Sequence, residues 1–150
     1  MSEPLLIHAT AVAIDGAAVL LRGASGSGKS DLGLRLIDAG ARLIADDQSE
    51  LRRRGDALFV RPPATIAGLL EVRGVGIVRL AALDEAPVVL IADLVEPEKI
   101  ERLPHSSSDT ILGVAVPVIA VTPFEASAAA KIRLALRAFT GPGLPAMVRT

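Results

Sequence analysis

Eight consecutive residues, Gly23, Ala24, Ser25, Gly26, Ser27, Gly28, Lys29 and Ser30, read GASGSGKS and fit G-x-x-x-x-G-K-[ST] at every position. Each residue type has a chemical reason to be there. The glycines let the backbone bend and approach an anion with no Cβ in the way. The backbone N–H groups then converge on phosphate oxygens at a helix start, where the helix dipole favours negative charge. Lys29 is placed to reach β- and γ-phosphates, and the Ser30 hydroxyl is a ligand for Mg²⁺. The alternative, a glycine turn that binds nothing, is disfavoured because an apolar β-prone run precedes the loop and an amphipathic helix pattern follows it. A nucleotide site is expected, with ATP and Mg²⁺ as its cofactors.

The loop does not say where the phosphate goes. The chain contains no Asn, so the N-K-x-D reader of guanine is absent. It also lacks an L-S-G-G-Q segment of transporter ATPases, and no arginine-rich lid of a small-molecule kinase stands out. The acids carry the next clue. Asp46 and Asp47 end a short apolar run 16 and 17 residues after Ser30. The strand that follows a strand–loop–helix unit should end beside the phosphate loop. One carboxylate there would take a proton from an attacking hydroxyl and its neighbour would order metal-bound water. An Asp pair capping a turn explains the spacing equally well, so both readings stand. Asp93, closing PVVLIADL, competes for the metal-carboxylate role. Glu71 and Arg73 sit among glycines in LLEVRGVG and read as a mobile catalytic loop or a surface ion pair.

These groups require elements to position them. LIHATAVAI and AAVLLRG, joined by Asp15-Gly16, predict a β-hairpin. SDLGLRLIDAG predicts a helix with Leu32, Leu36 and Ile37 on one face and Gly40 closing it. ELRRRGDALFVRP predicts a hairpin turning at Gly55. ATIAGLLEVRGVGIVRL predicts a loop or short helix leading into a strand from Val75 to Leu80. PVVLIADL has the continuous apolar pattern of a strand covered on both faces. EPEKIERLPHSSSD predicts a polar loop, and GVAVPVIAV a strand whose Pro117 marks an edge or bulge. Thr122, Pro123 and Glu125 form a capping-box pattern that predicts a closing helix from that point. Phe59, Phe124 and Phe139 are expected in the core. The fold class is α/β: a strand-rich, P-loop kinase-like core in one domain over residues 1–150.

Bulk properties are consistent with that reading. Of 150 residues, 51% are hydrophobic and 22% charged, ample for one core. The formal charge of −1 gives no basic field for nucleic acid. The longest apolar run, Ile111 to Val121, falls short of the ~18 residues of a membrane span. The absence of cysteine excludes disulfides and fits a cytoplasmic location.

HATAVAIDGAAVLLRGASGSGKSDLGLRLIDAGARLIADDQSEL, followed by IAGLLEVRGVGIV, resembles the catalytic domain of the HPr kinase/phosphorylases, bacterial enzymes that phosphorylate a serine of the phosphocarrier HPr. The resemblance runs from about His8 into the closing helix and implies a short form consisting of that domain. It implies that His8 is an active-site histidine and Lys29 a catalytic cation. Asp47 becomes the proton acceptor for the attacking serine, Ser30 and Glu71 the metal-associated groups, and Arg102 an active-site arginine. Asp93 then falls to a structural role. An HPr-like phosphocarrier is the implied partner, and a homo-oligomer, a hexamer, the implied assembly. One departure bears on activity. The family segment tied to the reverse reaction reads P-x-R-P-G-R-N, whereas here PVIAVTPFEA, Pro117 to Ala126, has neither arginine. Loss of those cations should weaken binding of inorganic phosphate, so a kinase with little phosphorylase activity is expected. The alternatives are an ATP-sensing module without transfer and a small-molecule kinase.

Overall fold

The structure, a computed structural model, describes residues 3–140. In chain order its first half holds β1 (Leu5–Ile7), β2 (Ala9–Ile14), β3 (Ala17–Arg22), α1 (Lys29–Asp38), β4 (Arg42–Ala45), β5 (Ser49–Arg54) and β6 (Ala57–Arg61). The second half holds β7 (Leu69–Val72), β8 (Gly76–Arg79), β9 (Ala86–Leu94), β10 (Ser107–Ile111), β11 (Val114–Val121) and α2 (Ala128–Thr140). This is the strand-rich α/β class expected from the sequence.

The β2–β3 hairpin lies toward the β4 edge of the sheet. Asp15 and Gly16 both take positive φ, 51° and 82°, the turn geometry that matches the right-handed twist of paired strands. β3 then pairs in parallel with β9, and β9 pairs in parallel with the end of β11. β4 pairs antiparallel with β2. The sheet therefore runs β1-β5-β6-β9-β3-β2-β4, with the β10–β11 hairpin attached to β9.

Alternate residues of these strands feed two cores, as the two-residue period of a strand dictates. Leu20, Ile91 and Ala11 pack with Leu51, Leu58 and Val60 on one face. Val19, Leu21 and Leu90 pack on the other against Leu32 and Leu36 of α1 and Ile132 and Leu136 of α2. Among the described residues no helix is long and apolar enough to cross a membrane.

Four local expectations change. Leu69–Val72 is a strand, paired with Gly76–Arg79 in a separate hairpin, not a loop or helix. Ser107–Ile111, expected as loop, is a strand beside β11. Pro117 falls one residue before β11 begins to pair with β9, where β11 has only β10 beside it, so the position is locally edge-like inside a doubly flanked strand. α2 starts at Ala128, not after Thr122. There the carbonyls of Pro123 and Glu125 accept hydrogen bonds from the Arg35 guanidinium, which holds this stretch out of the helix. β4 does end beside the Gly23–Ser30 loop, as expected, although it is not the immediate neighbour of β3. β2 lies between them, running the opposite way.

Candidate active site

That arrangement of β2, β3 and β4 builds the site. β3, β4, β9 and β11 all point the same way, so their C-terminal ends share one edge of the sheet, the usual place for a ligand in an α/β layer. β2 runs against them, and its first residues, Ala9 and Thr10, lie between the ends of β3 and β4: Thr10 registers with Leu21, and Ala11 with Ala45. A cleft of about 530 Å³ opens at this edge, lined by Ser25, Gly26, Lys29, Ser30, Asp47 and Glu71 among others.

The phosphate loop fits an anion. Gly28 precedes α1 with φ 101°, a conformation that favours glycine, and no side chain caps the helix. The first-turn N–H groups are therefore free to face a ligand. The Ser27 hydroxyl is buried without a partner and rests over Gly23, where any Cβ would collide with it. Lys29 is only 5% exposed and its Nζ donates to the carbonyls of Gly23 and Ala24, at 2.9 and 3.0 Å. An ammonium has three donors, and the third side of this one faces Asp47 Oδ1 at 3.6 Å.

The two acids differ completely. Asp46 is buried, and both its oxygens are occupied. Oδ1 accepts from Ser30 Oγ at 2.6 Å and from Thr10 Oγ1 at 3.2 Å, while Oδ2 accepts from the Glu71 N–H at 3.1 Å. Asp47 is 57% exposed and stands at φ 64° in a tight turn closed by the Gln48 N–H on the Asp46 carbonyl. A non-glycine residue held in that region costs about 1–3 kcal/mol and persists only where its surroundings enforce it. Here Thr10 Oγ1 accepts the Asp47 N–H at 3.0 Å. Thr10, fully buried in an apolar strand, thus positions both acids.

Glu71 reaches the cleft on β7, with Arg73 beside it. His8 is exposed in a bend that breaks the expected LIHATAVAI strand into β1 and β2, and it does not line the cleft. Arg102 is exposed on the loop before β10 and likewise stands apart. Asp93 is taken by Arg22, which donates to it from Nε and Nη2 at 2.7 and 3.0 Å and from Nη1 to Asp109 at 2.6 Å. The Asp93 hydrogen bond foremost raises the Arg22 pKa above its ordinary value. Asp93 is therefore an anchor for the residue that leads into the phosphate loop.

Comparison with known proteins identifies the family. The profile of the HPr Serine kinase C-terminal domain family matches residues 1–133. The chain belongs to that family. HPr kinase/phosphorylase of Exiguobacterium sibiricum is 44% identical over 84 residues, covering 55% of this chain and 27% of that protein. Its counterpart from a second Exiguobacterium strain is 45% identical over the same shares. The chain spans about a quarter of the length of these curated relatives. The solved Hpr(Ser) kinase/phosphatase from Coxiella burnetii superposes with a TM-score of 0.79 at 30% identity, over 89% of this chain and 94% of that one.

Within this HPr kinase C-terminal fold, three site features escaped sequence reasoning. Thr10 was hidden in an apolar strand, and its one signal was a hydroxyl where apolar residues dominate. The Asp46–Asp47 spacing suggests a proton acceptor and a carboxylate that orders metal-bound water, but not that Asp46 gathers Ser30, Thr10 and the Glu71 N–H at one point. Phe124, expected in the core, is 71% exposed and lines the cleft. Phe59 is half-buried with the Arg54 guanidinium 3.8 Å from its ring centre, while Phe139 does pack against the helix-side core.

Proposed function

We propose that this chain is an ATP- and Mg²⁺-dependent protein-serine kinase acting on HPr or a close phosphocarrier relative. The observation that carries the reading is the meeting of Lys29 and Asp47 at the mouth of the cleft, 3.6 Å apart. It sets a cation for the terminal phosphate beside an exposed carboxylate for the incoming hydroxyl. Asp47 takes the proton as the serine oxygen bonds to the γ-phosphorus. The bond from phosphorus to the β–γ bridging oxygen breaks, and ADP leaves. Lys29, the α1 first-turn N–H groups and the Ser27 hydroxyl hold the phosphate oxygens. Such catalysis is positioning plus electrostatics.

The residues present also fit Mg²⁺. Among the described residues no three acidic or histidine side chains converge. That suits an ion that keeps its waters and binds through nucleotide phosphates and one or two protein oxygens. Ser30, oriented by Asp46, and Glu71 would hold it, and it would neutralise charge on the transferring group.

A protein acceptor is favoured over a metabolite by the β7–β8 hairpin, whose Val75 and Ile77 are 75% and 73% exposed beside the cleft. His8 and Arg102 would join the site when a homo-oligomer or the docked acceptor covers it, and the cytoplasm is where such a carrier would be met. The missing arginines of Pro117 to Ala126 leave the reverse phosphorolysis weak. Radiolabelled ATP, given with purified HPr-like carrier or a metabolite extract, should label the carrier on serine. Label on a small molecule, or none with ATP still bound, would replace this reading by a metabolite kinase or an ATP sensor.

A further inference from the structure

An aromatic ring that should be buried stands at the cleft instead. Phe124 follows β11, the parallel strand two places from β3, and so emerges at the same sheet edge as the phosphate loop. Its ring lies over the last glycine of that loop: a Cβ on Gly28 would come within 3.1 Å of Phe124 Cζ. The placement is held from both sides. Arg35 of α1 donates from Nη2 to the Pro123 carbonyl and from Nη1 to the Glu125 carbonyl at 3.1 Å, and from Nε to Asp31 at 3.1 Å. The neighbours on α1 are Asp31 and Leu34, which line the cleft too. The cleft lining therefore offers two kinds of surface. One is ionic, with Lys29, Asp47 and Glu71. The other offers a clamped aromatic face and a leucine.

We propose that Phe124, with Leu34 beside it, is the platform on which the nucleobase stacks while Gly23 to Ser30 hold the phosphates. The proposal rests on the nucleotide-binding reading of that loop. A base stacked on an exposed ring gains affinity through its π-face and the apolar area it covers. Leaving a phenyl ring 71% exposed otherwise forfeits its burial.

The test separates base from phosphate by comparing ATP with inorganic tripolyphosphate, both with Mg²⁺. Phe124→Ala should raise the ATP dissociation constant about tenfold or more and leave that of tripolyphosphate unchanged. The chain has no tryptophan, so Phe124→Trp installs a single fluorophore. ATP should quench it strongly, and tripolyphosphate should displace ATP and restore the emission. An alanine variant whose ATP affinity is unchanged, or which loses both ligands equally, overturns the platform while leaving the phosphate loop intact. A wild-type chain that binds neither ligand overturns the nucleotide reading beneath it.

Discussion

Asp46 and Asp47 share a peptide bond and little else. Asp46 is buried and fully hydrogen-bonded, drawing Ser30, Thr10 and the backbone of Glu71 to one point. Asp47 is exposed and strained, and its carboxylate faces the Lys29 ammonium at 3.6 Å. A group whose acceptors are all occupied is a scaffold, and a group left partly unmatched is free to bind a proton. The contrast teaches how one dipeptide supplies both a buried anchor and an exposed carboxylate: the sharp turn at Asp47 throws consecutive side chains into different surroundings.

The strongest way to break that contrast is Asp47→Asn. Asparagine tolerates positive φ, so the melting temperature should hold and ATP should bind within about twofold. Transfer to the acceptor serine should fall about 10³-fold, the scale of a lost general base. Equal loss of ATP binding in a titration would reassign Asp47 to the nucleotide. Asp46→Ala should do the reverse in kind. It strands the buried Thr10 hydroxyl and frees Ser30 and the β7 hairpin, so urea unfolding should register a loss of about 2–3 kcal/mol. Mg²⁺ dependence should shift to higher concentration. No stability change would mean that Asp46 is no hub.

Arg35→Ala tests the aromatic part of the cleft lining. With the Pro123 and Glu125 carbonyls released, the ring loses its fixed position, and ATP affinity should drop about threefold with tripolyphosphate binding unaltered. The smallest effect concerns pH. The hydrogen bond from Arg22 holds the Asp109 carboxyl below its ordinary pKa. Its contribution to stability is present above the usual carboxylate value, about 3.9, and is lost as pH falls toward the lower folded value. Arg22 is raised from an already high value, so its share is complete across the accessible range and adds no slope. Because Asp109 is so exposed, Asp109→Asn should flatten the acid limb of a thermal-stability profile by under about 1 kcal/mol. A steeper limb in the variant would contradict this.

Much of the molecule was legible from short-range spacing. Asp15-Gly16, the GASGSGKS loop and the Leu32–Leu36 stripe each specify local geometry through two to eight residues, and each element formed where expected. The apparent capping box at Thr122 shows where local reading stops. Its pattern was sound, but Arg35, far away in sequence, claimed the flanking carbonyls, and Thr122 Oγ1 is left without a partner.

The sequence by itself determined a G-x-x-x-x-G-K-[ST] loop between a strand and a helix, because that motif is written in consecutive residues. Only the tertiary structure decided which acid is buried in hydrogen bonds and which is left exposed at the cleft, that Thr10 aligns them, and that Phe124 faces the cleft. Those outcomes follow from β2 lying between β3 and β4 and from α1 clamping the segment after β11. Both are contacts between residues distant along the chain, and no local pattern encodes them.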